Sequence, residues 1–108
     1  MRKIVYLAGP MALGNMADNI AQAWEAAERL RDAGFTPITP QDNFFGSIVG
    51  KRRSHDEWLD IDEPLVRVSA AILRLPGVSK GADKETKWAC LDGIPVYTDV
   101  ERLIAELS

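Results

Sequence analysis

Short apolar runs alternate with segments of helical periodicity along this chain, and the first run shows the pattern. Residues 3–8 are almost continuously apolar and end at Gly9-Pro10, a strong turn signal. A run that is apolar on both faces is typical of a strand in the middle of a parallel sheet. After a loop, residues 20–30 carry apolar side chains at helical spacing, and Gly34 predicts the end of that helix.

Further strands and helices follow in the same order. Pro37 interrupts the second strand, which places that strand at a sheet edge. Ser54 and Glu57 have the spacing of a capping box, and Pro64 predicts a kink or a restart within the helix that they begin. The predicted strands after the first are 35–39, 70–75 and 94–98, and the predicted helices after the first are 54–68, 79–91 and 99–107. Residues 40–53 form a predicted loop, and a loop of that length in a small domain is usually functional or mobile.

This alternation predicts an α/β fold. Short connections imply about four parallel strands with helices on both faces, which is a Rossmann-like or flavodoxin-like three-layer sandwich. We expect one domain over residues 1–108, because 108 residues leave no room for a second core.

The composition excludes several classes of function. A net charge of -3 argues against duplex nucleic acid as a partner, which demands a basic face. No apolar run approaches the roughly 18 residues that a membrane span needs. The single cysteine, Cys90, provides neither an internal disulfide nor a metal cluster. We therefore expect a cytoplasmic protein that uses neither a metal nor another cofactor.

The topology also predicts where a ligand binds. In open parallel sheets, ligands bind outside the carboxyl ends of the strands, near the switch in strand order. Three segments of this chain follow predicted strands in that way. They are residues 9–15, 40–53 and 76–81.

Two carboxylates lie on the apolar faces of their predicted helices. At about 100° per residue, Asp62 shares a face with Trp58 and Leu65, and Glu85 shares one with Ala82 and Ala89. Burying an ionised carboxylate is costly unless the group is paired or lines a cavity. The pattern therefore indicates one polar pocket shared by both carboxylates.

The two positions differ in how well a structural role explains them. Asp62 could equally cap a helix that restarts at Pro64, in which case its face assignment has no meaning. Glu85 lies in the second turn of its helix, too far from the start to be a cap.

Three segments are candidates for binding an anion. Residues 79–81 begin a helix and can hold an anion through backbone N–H groups, although Ser79 also suits a plain N-cap. The turn at 9–15 resembles a phosphate-binding loop only loosely, because it lacks the required Lys and glycine spacing. The basic run 51–53 could reach a phosphate or simply be solvated.

Three single residues receive structural interpretations. His55 has no partner at metal-ligand spacing and is interpreted as a surface residue. Cys90 is expected in the core, as a small apolar side chain. Trp88 points away from the Glu85 face of its helix, which indicates either a subunit contact or a side chain that covers a neighbouring loop.

The residues also resemble a known family over nearly the whole chain. Within this family, the small, poorly characterised branches are the most similar to the chain. The most specific part of the resemblance is the Ser-x-Gly-Ala-x-x-Glu block that follows an apolar strand. The chain resembles the nucleoside 2-deoxyribosyltransferase-like superfamily in residues 4–10 (IVYLAGP), 30–35 (LRDAGF), Trp58-Leu59-x-x-Asp62-x-Pro64-Leu65, 71–77 (AILRLPG) and Ser79-x-Gly81-Ala82-x-x-Glu85-x-x-x-Ala89.

The resemblance implies cleavage of the N-glycosidic bond of a nucleoside or nucleotide, by a hydrolase or a deoxyribosyltransferase. It implies that Glu85 is the nucleophile, that Asp62 contacts the sugar or base, and that Tyr6 orients the glutamate. It also implies a small-molecule substrate and a homodimer or larger homo-oligomer. The substrate contacts that follow from it are Gly9, Pro10, Met11, Asn15, Trp58, Ser79, Lys80 and Gly81.

The sequence departs from this pattern and leaves alternatives open. Four strands are predicted where the family usually has five. Lys80 and Lys84 are expected to lower the pKa of Glu85, which suits a nucleophile and equally suits binding of an anionic ligand. The alternatives are a module that binds or sequesters a nucleotide without turnover, and a structural role with a vestigial site.

Overall fold

A computed structural model describes residues 1–11, 13–42 and 48–108. Parts of the predicted turn 9–15 and of the predicted loop 40–53 therefore lie outside the described residues. The strands are β1 (Ile4–Ala8), β2 (Thr36–Ile38), β3 (Ala71–Arg74) and β4 (Val96–Tyr97), and the helices are α1 (Met16–Asp32), a 3-10 turn (Pro40–Asp42), α2 (His55–Arg67), α3 (Lys80–Leu91) and α4 (Val100–Leu107).

The strands form one parallel sheet in the order β2-β1-β3-β4. Tyr6 on β1 lies opposite Ile38 on β2 and Ile72 on β3, so the first strand is central. The predicted α/β fold with four parallel strands is confirmed, and β2 is an edge strand as Pro37 predicted.

The two faces of the sheet have separate cores because β1 alternates its side chains. Val5 and Leu7 belong to a cluster that includes residues from α1 and α4, such as Leu30 and Leu103. Tyr6 and Ala8 belong to a second cluster with residues of α2 and α3. The carboxylate-bearing helices thus share one face of the sheet.

The helix boundaries follow from local chemistry. Ser54 and Glu57 form the predicted capping box at the start of α2. Gly34 follows α1 with a φ of 94°, a conformation that favours glycine. At the start of α1, the side chain of Asn15 accepts a hydrogen bond from the N–H of Asp18 at 3.1 Å.

Pro64 does not restart α2, because the helix is continuous from His55 to Arg67. Its ring lies on an exposed position, as does Asp60, whose carbonyl loses its helical donor. Water can reach that carbonyl, so the helix tolerates the proline there. Asp62 is consequently an interior helical residue and not an N-cap.

The interpretation of Cys90 as a core residue is wrong. Cys90 is exposed, because it lies about 100° around the helix from buried Ala89. Trp88 is only partly exposed and packs against the cluster that contains Tyr6. Its side chain is long enough to reach back to the sheet, and the ammonium of Lys84 lies 5.8 Å from its ring centre.

None of the helices that the structure describes is both long enough and apolar enough to cross a bilayer. Among those same residues, no group of three or more His, Cys, Asp and Glu side chains could hold a metal ion.

Candidate functional site

A cavity of about 300 Å³ lies beyond the carboxyl ends of β1 and β2, between the first turns of α2 and α3. This volume is at the lower end of the roughly 300–1,000 Å³ that ligand pockets occupy. Nine of the predicted site residues line it: Gly9, Pro10, Met11, Trp58, Asp62, Ser79, Lys80, Gly81 and Glu85.

Two glycines bring the walls of this cavity close together. A Cβ on Gly9 would lie 2.8 Å from the Cβ of Leu75, so only glycine allows the turn after β1 to approach the end of β3. Gly77 has a φ of 114°, and a Cβ there would lie 2.8 Å from the Cγ of Pro10. The turns after β1 and β3 therefore pack directly against each other at the cavity wall.

Tyr6, Asp62 and Glu85 form a buried polar cluster at the base of the cavity. Tyr6 on β1 is completely buried, and its hydroxyl donates a hydrogen bond to Oε2 of Glu85. Asp62 and Glu85 are each only 6% exposed. Tyr6 also lies near enough to Asp62 to lower the pKa of that carboxyl.

Burial controls the protonation of both carboxyls. It raises the pKa of Glu85 to about 7, helped by the charge of Asp62 and opposed by the Tyr6 hydrogen bond and by Arg74. It likewise raises the pKa of Asp62 to about 6. Burial also raises the pKa of Tyr6 far above its usual value, so its hydroxyl remains a hydrogen-bond donor.

The expected lowering of the Glu85 pKa by lysines is wrong. The side chains of Lys80 and Lys84 are both exposed, and Lys84 lies over the ring of Trp88. Their charges are screened by water, whereas the carboxyl of Glu85 is desolvated. Desolvation therefore has the larger effect on this group.

Two buried oxygens lack a hydrogen-bond partner within the described part of the chain. They are Oδ1 of Asp62 and Oε1 of Gln41, a side chain that is 1% exposed. An unsatisfied buried acceptor costs about 1–3 kcal/mol. Both residues line the cavity, so hydrogen-bond donors on a ligand are the natural partners for these oxygens.

A hydrogen-bonded turn after β2 fixes the position of Gln41. The indole N–H of Trp24 donates to Oδ1 of Asp42 at 2.9 Å, and the hydroxyl of Thr39 donates to Oδ2 at 2.6 Å. The side-chain amide of Gln41 donates to the carbonyl oxygen of Leu7 at 3.4 Å. The Asp42 carboxylate thus ties the turn to α1.

Two of the predicted site residues do not line the cavity. Tyr6 lies behind it and reaches it through Glu85. Asn15 caps α1 and is exposed, so its side chain is already engaged away from the cavity.

Two polar residues at the cavity, Gln41 and His55, are not among the predicted site residues. Gln41 lies in a segment that the topology had indicated, since it follows β2, but nothing in the sequence singled it out. His55 is exposed, as interpreted, yet it lines the cavity because α2 begins there. The apolar lining includes Leu13, Pro40 and Val78, which lie in the three predicted segments, and Leu7, Leu59 and Ala82, which lie outside them.

The fold and this site together define a class of small α/β domain in which a buried carboxylate pair faces a cavity at the carboxyl end of a parallel sheet. The chain belongs to the family described as Domain of unknown function (DUF4406), whose sequence model matches residues 3–98.

A solved structure has the same fold. It is a 2-deoxyribosyltransferase from the psychrotolerant bacterium Bacillus psychrosaccharolyticus, with a TM-score of 0.64 and 21% sequence identity over 86% of this chain and 69% of that chain. Among curated proteins, none matches this sequence significantly.

Proposed function

We propose that this protein cleaves the N-glycosidic bond of a nucleoside or nucleotide with Glu85 as the nucleophile. The observation that carries the proposal is the buried cluster of Tyr6, Glu85 and Asp62 at one ligand-sized cavity. The shared fold with a 2-deoxyribosyltransferase, described as a biocatalyst for the synthesis of nucleosides, supports the same substrate class.

The first step is displacement at the anomeric carbon of the sugar. Positive charge builds on the sugar ring as the C–N bond breaks, and a carboxylate stabilises that charge. An oxygen of Glu85 forms a bond to the anomeric carbon while the electron pair of the C–N bond leaves with the base. In the protonation state in which Glu85 is ionised and Asp62 carries a proton, Asp62 gives that proton to the departing base.

The second step releases the sugar. Water or a second base attacks the anomeric carbon, the ester bond to Glu85 breaks, and the proton of the attacking group passes to Asp62. Two displacements give overall retention of configuration. Tyr6 acts by orientation, because its hydroxyl holds one oxygen of Glu85 and leaves the other for attack.

The test is base release from a panel of ribonucleosides, 2′-deoxynucleosides and their 5′-monophosphates, followed by chromatography. We expect Glu85→Gln to lower the rate at least about a thousandfold, since it removes the nucleophile. Glu25→Gln is the matched control, because Glu25 is exposed on α1 across the sheet. Wild-type turnover that survives Glu85→Gln would contradict the mechanism.

Binding without turnover is the second candidate. Oδ1 of Asp62 and Oε1 of Gln41 favour it, because they have no partner in the part of the chain that the structure describes and can accept hydrogen bonds from a ligand whether or not chemistry follows. It predicts thermal stabilisation by a panel member without base release, and binding that persists in Glu85→Gln.

We also propose that the protein is a homodimer or larger homo-oligomer. The support is an apolar flank formed by α2 and its C-cap, where Ile61, Leu65 and Val68 are 41%, 37% and 64% exposed. Sedimentation velocity of Leu65→Glu, with Leu91→Glu on α3 as the control, tests this. A monomeric wild-type protein would refute it.

A further inference from the structure

We propose that Arg74 is a positioning residue for the proposed reaction: its guanidinium fixes the turn after β3 to α3, on the side of the sheet where Glu85 is buried. The inference rests on the proposed function and adds to it a residue that does not line the cavity. It depends on the face of the sheet from which Arg74 projects, on the groups that its side chain binds, and on the part of the cavity wall to which those groups belong.

Arg74 projects from the same face of the sheet as the candidate site. It is the last residue of β3 and lies opposite Ala8, the last residue of β1. Side chains alternate along a strand, so Arg74 shares a face with Ile72, which belongs to the cluster that contains Tyr6. The side chain of Arg74 is only 17% exposed. It therefore lies beneath α2 and α3, at the end of the sheet where the cavity is found.

The guanidinium of Arg74 binds the turn that connects β3 to α3. Nη1 donates a hydrogen bond to the carbonyl oxygen of Leu75, and Nη2 donates to the carbonyl oxygen of Gly77 at 3.0 Å. Nη2 also donates to Oδ1 of Asp83, in the first turn of α3, at 3.2 Å. A planar guanidinium presents its donors in a fixed fork that the ammonium of a lysine cannot reproduce. This one side chain thus ties the turn to the helix that carries Glu85.

The turn that Arg74 binds supports one wall of the cavity. Leu75 and Gly77 are the residues that pack on Gly9 and Pro10, two lining residues that follow β1. Gly77 lies between β3 and α3, where the regular hydrogen bonds of neither element hold the chain, and it has a φ of 114°. Because Arg74 binds both carbonyls, it fixes this wall from behind. Loss of that binding would let the wall move relative to a bound sugar.

The positive charge of Arg74 also acts on Glu85. Burial raises the pKa of this carboxyl, and the charge of Arg74 opposes that rise. The other groups that act on the carboxyl are Tyr6 of β1, whose hydrogen bond opposes the rise, and Asp62 of α2, whose charge adds to it. Arg74 is the cation among these three groups. It therefore favours the ionised form of Glu85, which is the form that attacks the sugar.

The experiment compares Arg74→Lys and Arg74→Met in the full chain, with a panel member that the wild-type protein cleaves. Arg74→Lys keeps the charge and loses the fork, whereas Arg74→Met loses both. We expect both variants to lower kcat/KM at least about tenfold, because a small displacement of the wall misaligns the sugar and the nucleophile. Arg74→Met alone should also move the acid limb of the pH–rate profile to higher pH, since the charge that opposes the rise in the pKa of Glu85 is gone.

Arg67 of α2 provides the matched control, because it is also an arginine that joins two elements. It pairs with Glu63 of α2 at 2.9 Å and with Asp92, the C-cap of α3, at 2.7 Å, and it does not line the cavity. Arg67→Met should leave kcat/KM and the acid limb unchanged. Urea denaturation checks that each variant is folded, and Arg74→Gln replaces Arg74→Met if the latter does not fold.

Wild-type kcat/KM in Arg74→Lys would overturn the positioning role, and so would an acid limb that stays in place in Arg74→Met. Cleavage that is lost in Glu85→Gln but is unaffected at Arg74 keeps the enzyme and refutes this inference. If the wild-type protein cleaves no panel member, the proposed function fails, and NMR titration of the Glu85 carboxyl still tests Arg74. We then expect a higher pKa of that carboxyl in Arg74→Met than in Arg74→Lys, and equal pKa values in both variants would overturn the inference.

Discussion

On one face of β1, Val5 and Leu7 pack beneath α1 and α4 into a cluster that contains ten buried apolar residues of the described chain. On the other face, Tyr6 and Ala8 meet α2 and α3, where Asp62 and Glu85 are buried. The same strand thus contributes to stability through one set of alternate residues and to a candidate site through the other. A desolvated carboxylate costs stability, so the apolar face must offset what the polar face loses.

The largest effect should come from the apolar face. Leu103 of α4 is completely buried, and Leu103→Ala should lower the free energy of unfolding by about 3 kcal/mol through a lost contact and a cavity. Urea denaturation measures this, with Leu91→Ala as the control, because Leu91 is 72% exposed and should change little. An equally small effect at Leu103 would show that this face does not stabilise the fold.

On the polar face, we expect a substitution to increase the free energy of unfolding instead of lowering it. The pKa of Glu85 is about 7 in the folded protein against 4.5 for an ordinary glutamate, so the folded state holds the proton more tightly. Stability is therefore lost as the pH rises from about 4.5 to about 7. Glu85→Gln should stabilise the protein by about 2 kcal/mol near pH 8, and much of this gain should disappear towards about pH 5.

Urea denaturation at both pH values checks this, and Glu25→Gln on α1 provides the control. A gain that is the same at both pH values would mean that ionisation of Glu85 is not its cause.

A smaller effect is expected at Tyr6. The hydroxyl of Tyr6 lowers the pKa of Glu85, so Tyr6→Phe should raise that pKa and move the acid limb of the pH–rate profile to higher pH. The lost hydrogen bond should cost about 1 kcal/mol. Tyr97→Phe, on β4 and packed against the apolar cluster, is the control. If the acid limb of the pH–rate profile does not move, the hydroxyl of Tyr6 does not control the ionisation of Glu85.

The smallest effect is expected at the turn after β2. Trp24→Phe removes the N–H that binds Asp42 and should loosen the turn that holds Gln41. We expect a loss of less than about 1 kcal/mol in stability and a KM raised about threefold at constant kcat. Asp42→Asn should act similarly, and the double variant should show non-additive losses. Additive losses would mean that the two residues act independently.

Much of the fold could be predicted because its signals are local. The capping box at Ser54 and Glu57, the glycine after α1 and the edge position of β2 each depend on a few neighbouring residues. The helix faces on which Asp62 and Glu85 lie could be predicted in the same way, since successive helical residues are separated by a fixed angle. Both carboxylates are buried at the same cavity.

Other properties depend on contacts between residues far apart in the sequence and could not be predicted from it. Pro64 is tolerated because it lies on the exposed side of α2, and Trp88 is covered because its side chain reaches the sheet. His55 reaches the cavity only because the start of α3 lies against it. The raised pKa of Glu85 reflects how completely helix and sheet exclude water around it.

The sequence alone thus determined the order of strands and helices and the faces on which the two acids lie, because periodicity and capping are short-range. Only the tertiary structure decided which polar groups lose their water, since desolvation depends on everything packed around an atom. The packing leaves Oε1 of Gln41 without a partner among the described residues, and it raises the pKa of Glu85 despite two nearby lysines in the sequence.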